Sequence, residues 1–198
     1  MRLLLIGGTG TIGAAVARAF SALGDEVISA SRSAAPPVDI TDQDSIHRFL
    51  ETVGPFDAVI VTAGKVPSVA LTDAAPSDFD AGFANKLGGQ ISVVLAAVGR
   101  IADHGSITLT SGILAQHAVP GSVVTAAVNG ALEGFVARAA LDLPRGVRLN
   151  AVSPTIVLRP GQSSEAFRGF RSVTPDEAAQ AYVRSAYGVE TGQVFRVW

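Results

Sequence analysis

The sequence predicts an α/β fold, a single domain over residues 1–198 built as a doubly wound, mostly parallel sheet of about seven strands with helices on both faces. Three observations predict it. Strand-like apolar runs alternate with helix-like segments along the whole chain, a pattern that calls for right-handed crossovers between parallel strands. The first apolar run feeds directly into a glycine-spaced turn that opens a helix. Apolar residues make up 48% of the chain and charged residues only 16%, which suits a sheet covered on both faces.

Leu3 to Ile6 reads as a buried strand, and Gly7-Gly8-Thr9-Gly10-Thr11-Ile12-Gly13 follows it with the spacing G-x-x-G-x-x-G. Gly7 permits the turn, and Gly10 lets backbone N–H groups approach a pyrophosphate. Gly13 lets the following helix, Ala14 to Leu23, sit close to the strand. Free N–H groups and the positive end of the helix dipole then favour phosphate charge, and Thr9, Thr11 and Ile12 lie on that turn. A glycine-rich turn without a ligand is the alternative. Strand context favours a Rossmann-type dinucleotide site.

Asp25 to Ala30 is the second strand and ends in Ser31-Arg32-Ser33. An acid at this point would accept from a ribose 2′-hydroxyl, whereas Arg32 suits a 2′-phosphate and so NADP over NAD. The alternative is a solvated loop arginine. After the connector Ala34 to Pro37, Val38-Asp39-Ile40 reads as a short third strand, with Thr41-Asp42 capping a helix that runs to Val53. Asp39 either accepts from the adenine amino group or caps the strand end. Phe56 to Val61 is the next strand, ending in Thr62-Ala63-Gly64, whose small residues let backbone pass near a ribose.

Lys65 to Ala75 reads as a loop or broken helix, and a long helix runs from Pro76 to about Ile101. Gly105 to Thr110 is a strand leading into Ser111-Gly112, and a second long helix covers about 122–141. Val147 to Val152 is a strand ending in Ser153-Pro154, and a loop follows to Val173. Thr174-Pro175-Asp176-Glu177 carries the signals of a helix start, and Gln193 to Val197 closes the sheet. Ligands of such sheets bind at the carboxyl ends of the strands, where Arg32, Ala63, Gly64, Ser111 and Pro154 all fall.

Composition narrows the partners. Net charge is −2 with dispersed Lys and Arg, so no nucleic acid is expected. There is no cysteine, which removes disulfides and thiol chemistry, and His47, His104 and His117 show no metal-ligand spacing, so no metal is expected. Met1 leads straight into the first strand and no apolar run approaches the ~20 residues of a membrane span. A cytoplasmic chain without a membrane partner is the expectation.

These motifs, taken in order, resemble the short-chain dehydrogenase/reductase family over nearly the whole length. Asp39-Ile40-Thr41 is similar to its adenine-binding stretch, and Thr62-Ala63-Gly64 keeps Ala-Gly of its Asn-Asn-Ala-Gly block. Gly105-Ser106-Ile107 leads to the catalytic-serine position at Ser111. Leu149 to Pro154 is similar to the segment that touches the nicotinamide, with Thr155 in place of the usual glycine, and Val157 falls among the implied cofactor contacts. Thr191-Gly192-Gln193-Val194 is similar to the closing strand.

The resemblance breaks at the chemistry. The family carries Tyr-x-x-x-Lys on the second long helix, and here those positions are Thr125 and Asn129. A threonine hydroxyl cannot be tuned into the acid–base role of a tyrosine. Tyr182 and Tyr187 lie in the last helix and do not replace it. Counting from Phe79-Asp80 puts Lys86 at the position of the family's catalytic asparagine, as if Asn and Lys had exchanged helices. The rival alignment gives that position to Asn85 and leaves Lys86 on the surface. Ser111 is a substrate hydrogen-bond donor or a turn cap, and His117 a general acid or a solvated loop residue. Phe167, Arg168, Phe170 and Arg171 fall where the family's substrate lid lies, which would suit a planar or anionic substrate, although scattered surface arginines would look the same.

The implied function is an NADP-dependent oxidoreductase acting on a small carbonyl or alcohol, with Ser111, Lys86, Thr125 and Asn129 forming a rearranged catalytic set. The alternatives are a non-catalytic NADP(H)-binding or sensing protein and a non-redox enzyme on the same scaffold. The two long helices correspond to the pair through which the family assembles, so a homodimer or homotetramer is expected.

Overall fold

The computed structural model describes residues 1–198. Leu3, Leu4, Leu5 and Ile6 of β1 (Arg2–Ile6) are all buried, so successive side chains are covered on both sides of the sheet. Six parallel strands follow from the same logic: β1, β2 (Glu26–Ala30), β3 (Phe56–Val61), β4 (Ile101–Thr110), β5 (Arg148–Pro154) and β6 (Val194–Val197). Their order in the sheet is β2-β1-β3-β4-β5-β6. The chain reverses its direction of travel across the sheet between β1 and β3, and there the carboxyl ends open a crevice.

Helices cover both faces. On one side Leu3, Leu5, Ala58 and Ile60 meet Val16 and Phe20 of α1 (Thr11–Ala22) and Ala179 and Tyr182 of α6 (Pro175–Tyr187). On the other, Leu4, Ile6, Val59 and Ile107 meet α2 (Gln43–Val53), α4 (Gly89–Ala97) and α5 (Val123–Ala139). The amphipathic side read for α2 is the buried one: Ile46, Phe49, Leu50 and Val53. Asp42 caps α2 by accepting from the backbone of Asp44 and Ser45.

Two elements differ from expectation. Val38-Asp39-Ile40 is not a strand, and the sheet has six strands where about seven were expected. Only a single bridge, Ser31 to Pro37, joins this segment to the chain leaving β2. Pro36 and Pro37 have no N–H to give a ladder, and the carboxylate of Asp39 is turned to Thr41. The helix expected over 76–101 is three pieces: α3 (Pro76–Gly82), a π-helical turn (Phe83–Gly88) and α4, which ends at Ala97. Gly99 lies in the turn after α4, and Ile101 already belongs to β4, where it pairs with Phe56.

Candidate active site

The nucleotide turn is built by close backbone approach. Gly7 has φ +97°, and a Cβ there would lie 2.7 Å from the backbone N of Ala63. A Cβ on Gly13 would lie 2.2 Å from the carbonyl oxygen of Gly7, so only glycine lets α1 start this near β1. Gly10 is the N-cap of α1, which carries no side-chain cap and no acid in its first turn. The first N–H groups of α1 therefore face outward without a partner, as an anion site requires.

From this turn a cleft of about 320 Å³ extends over the carboxyl ends of β1, β2 and β3. Gly7, Thr9, Gly10, Arg32, Asp39, Ile40, Ala63 and Gly64 all line it. Arg32 is exposed and forms no ion pair, and its charge acts on the carboxylate of Asp39 across the same cleft. Hydrogen bonds from the backbone and hydroxyl of Thr41 hold the carboxyl of Asp39 below its ordinary pKa. Asp39 thus caps this turn through Oδ1, to which both bonds go.

A second cleft, of about 260 Å³, adjoins the first. Ile12, Lys86, Ser111, Thr125, Asn129, Pro154, Val157 and Phe167 are among its lining residues. The π-helical turn carries both residues between which the sequence left the alignment open. Its wider turn directs adjacent residues into both clefts. Asn85 lines the first cleft and accepts from the backbone N of Lys65 at 2.7 Å, and Lys86 lines the second. Gly64 makes room for this arrangement, since a Cβ on it would sit 2.7 Å from Cγ of Lys86. Lys86 is a wall of the site and not a surface residue.

The ammonium of Lys86 donates to Oδ1 of Asn129 at 2.7 Å and to the carbonyl oxygen of Ser111 at 3.2 Å. Burial pushes its pKa down to about 8, against the opposing charge of Glu133. Asn129 in turn donates from Nδ2 to the carbonyl oxygen of Gly112 at 3.4 Å. Lys86 and Asn129, on different helices, therefore touch each other across the cleft. Ser111 does not stand free as a donor. Its hydroxyl donates to Oε1 of Glu133 at 2.6 Å, while the other carboxylate oxygen accepts from Nε2 of Gln116.

Comparison with known proteins is consistent with this geometry. A family model described as enoyl-(acyl carrier protein) reductase matches residues 8–191. The chain belongs to the short-chain dehydrogenase/reductase family. Human L-xylulose reductase is 30% identical over 175 residues, covering 79% of this chain and 72% of the relative. The crystal structure of lin1944 from Listeria innocua superposes with a TM-score of 0.96 at 37% identity, covering 100% of both chains. A small-chain dehydrogenase in complex with NADPH superposes at 0.86, with 29% identity over 100% of this chain and 96% of that one.

Neither tyrosine of the chain lines either cleft. Tyr182 is fully buried, bonded at 2.7 Å to the hydroxyl of Thr110, and burial pushes its phenol upward. Tyr187 is bonded to Asp25, which pushes its pKa up to about 12. His117 lies outside both clefts, edge-on to Trp198 at 4.9 Å and to Phe170 at 6.0 Å. Phe167 reaches the second cleft, while Arg168 and Arg171 pair with Glu165 and Glu177.

Two residues bonded to the walls of the crevice escaped the sequence reading. Glu133 follows Asn129 by four residues on α5, and that helical spacing was the signal that it shares a face with Thr125 and Asn129. Gln90 is fully buried and ties the chain leaving β3 to the end of β4. It donates to the carbonyl oxygens of Ala63 and Thr110 and accepts from the backbone N of Thr110.

Proposed function

We propose that this chain is an NADP-dependent oxidoreductase that interconverts a small carbonyl compound and its alcohol. The observation that carries the reading is the Lys86 ammonium, held by Asn129 and the Ser111 carbonyl in the cleft that adjoins the nucleotide turn. Several features fit the dinucleotide. The N-terminus of α1 is bare, Gly10 leaves its backbone open, and Arg32, Lys65 and Lys86 have no carboxylate in contact. The NADPH carried by one structural neighbour and the reductase name of the human relative support the same choice.

Gly7, Gly10, Thr11, Ile12 and Gly13 would hold the pyrophosphate, Arg32 the 2′-phosphate, Asp39 and Ile40 the adenine, Ala63 and Gly64 the ribose, and Pro154 and Val157 the nicotinamide. When held there, the cofactor would supply or accept the hydride at the carbon of the substrate. Lys86 faces the oxygen that becomes negative and stabilises it as an ammonium. A pKa of about 8 lets the same group give up a proton near neutrality. Asn129 orients Lys86, and Glu133 opposes its deprotonation. Ser111, with its proton directed to Glu133, offers the substrate a lone pair, and Thr125 shapes the wall.

The test is oxidation of NADPH in the presence of a panel of small aldehydes, ketones and hydroxyketones, with Lys86→Met as the control. Turnover that depends on Lys86 is expected. NADPH binding without hydride transfer to any member of the panel would favour the second reading, a non-catalytic NADP(H)-binding protein. The observation in its favour is Thr125 at the tyrosine position, with no side-chain hydrogen bond of its own. A cytoplasmic homodimer or homotetramer through α4 and α5 completes the proposal. Leu95 on α4 is 70% exposed and α5 is rich in small residues, and light scattering at micromolar concentration measures the assembly.

A further inference from the structure

The nitrogen of Lys86 has three tetrahedral positions besides its bond to Cε. Two of them are taken. Nζ donates to Oδ1 of Asn129 at 2.7 Å and to the carbonyl oxygen of Ser111 at 3.2 Å. Both partners are acceptors, so both positions carry hydrogen whatever the charge of the group. Asn129 is held in this sense, because its Nδ2 donates to the carbonyl oxygen of Gly112. No protein group takes the third position, and Lys86 lines the second cleft, so that position is left to the cleft. It holds a proton in the ammonium and a lone pair in the amine.

The surroundings favour the amine. Lys86 forms no ion pair. Burial outweighs the charge of Glu133 and brings its pKa to about 8. At pH 8 about half of the group is then uncharged, against about 1 in 300 for a lysine at its ordinary 10.5. The stem is packed against Gly64, where a Cβ would lie 2.7 Å from Cγ of Lys86. Ile113, Leu114, Ile156, Val157 and Phe167 give the cleft apolar walls, which suit short apolar substituents on a carbonyl. A desolvated lysine with its lone pair open to such a space is a nucleophile toward carbonyl carbon.

We propose that Lys86 is also a covalent site, which captures a small aldehyde or ketone from the second cleft as a reversible imine. This activity needs no dinucleotide and does not rest on the cofactor reading. Nζ bonds to the carbonyl carbon as the C–O π pair moves to oxygen. The oxygen then leaves as water with one Nζ hydrogen and one proton from solvent. The nitrogen keeps one hydrogen as the iminium, and Oδ1 of Asn129 can accept from it. Glu133 opposes the positive charge that results. Water returns by the same steps in reverse. The two roles of Lys86 belong to its two protonation states: the ammonium faces a developing oxyanion, and the amine attacks carbon.

The chain has two lysines, and the exposed Lys65 is an internal control. The test incubates the chain, without NADPH, with propanal or acetone and cyanoborohydride. The reagent delivers hydride to the iminium carbon and fixes the adduct as a secondary amine, which peptide mass spectrometry locates. Near pH 8, Lys86 is expected to be alkylated about tenfold faster than Lys65, or more. The preference should vanish in urea, where both lysines meet the reagents in water. Asn129→Asp sets a carboxylate against Nζ and holds its proton, so Lys86 should react about tenfold more slowly while Lys65 is unchanged. Equal alkylation of the two lysines in the folded chain, no adduct at Lys86, or an unslowed Asn129→Asp overturns the proposal and leaves the cofactor reading standing. Selective alkylation of Lys86 in a chain that fails to bind NADPH supports the proposal and overturns the cofactor reading alone.

Discussion

The two halves of the crevice are built from different materials. The nucleotide half is made of backbone: Gly7 and Gly13 stand where a Cβ would strike main-chain atoms at 2.7 and 2.2 Å, and its anion site is a set of N–H groups. The substrate half is made of side chains: Lys86, Asn129, Ser111, Glu133 and Gln116 bond one another from three parts of the chain. A backbone site has one solution, because the glycine spacing and the fold fix each other. A side-chain site can be rebuilt from the opposite wall so long as a charge reaches the same volume. That difference lets Lys86, from the π-helical turn, and Asn129, from α5, meet in one cleft beside a turn that backbone alone determines.

The largest expected effect breaks the backbone half. Gly13→Val would put a branched side chain against the Gly7 carbonyl, and we expect it to cost about 3 kcal/mol or more and to remove NADPH binding, as read by urea unfolding and titration. Lys86→Met tests the other half and should separate function from stability. Turnover should fall at least about a hundredfold. The unliganded fold should not suffer, because the ammonium is disfavoured there. Its pKa is about 8 in the folded chain against an ordinary 10.5, so between these values the unfolded chain binds the proton that the folded chain lacks. Stability of the unmodified protein should therefore rise from pH 8 to 10.5, by at most about 3 kcal/mol, and this rise should vanish in Lys86→Met.

The same contrast explains what was legible in the sequence. The parallel doubly wound sheet, the turn at Gly7 to Gly13 and the positions of Arg32, Ala63, Gly64 and Pro154 follow from local patterns: apolar runs, glycine spacing, strand ends. The one strand misread, Val38 to Ile40, has apolar ends but is preceded by two prolines and turned by its own Asp39. Lys86 against Asn85 could not be settled by counting, because a π-helical turn adds a residue without leaving a mark in composition. Glu133 was hidden for another reason. Its partner Ser111 lies 22 residues away on another element, and one carboxylate on a helix looks like a solvated face.

Arg32→Asp should give a smaller effect that is confined to one ligand. Arg32 is exposed and lines only the nucleotide cleft, so the fold should be unaffected. A carboxylate beside the 2′-phosphate would repel NADPH and accept from the 2′-hydroxyl of NADH. We expect NADPH affinity to fall about tenfold or more while NADH affinity holds or improves, by direct titration of both. Equal dissociation constants in the unmodified chain would remove Arg32 from the site.

The finest test of the side-chain half is Glu133→Gln, which keeps the shape and removes one charge. The amide oxygen of the variant could still accept from Ser111, so the fold and NADPH affinity should be nearly unchanged. The loss should be felt at Lys86. Glu133 is the charge that raises the Lys86 pKa against burial, so its removal must lower that pKa further below the ordinary lysine value. Two readouts then move together. The stability gain of the unliganded protein with rising pH should begin at a lower pH in Glu133→Gln, because the folded chain loses its proton earlier while the unfolded chain does not. Turnover should fall severalfold near neutrality, about 1 kcal/mol, and its alkaline decline should shift in the same direction. A purely structural Glu133 would change stability at every pH alike and leave the alkaline limb where it was. An unshifted limb in a folded, NADPH-binding Glu133→Gln would uncouple the carboxylate from Lys86 and reduce the active set to Lys86, Asn129 and the Ser111 backbone.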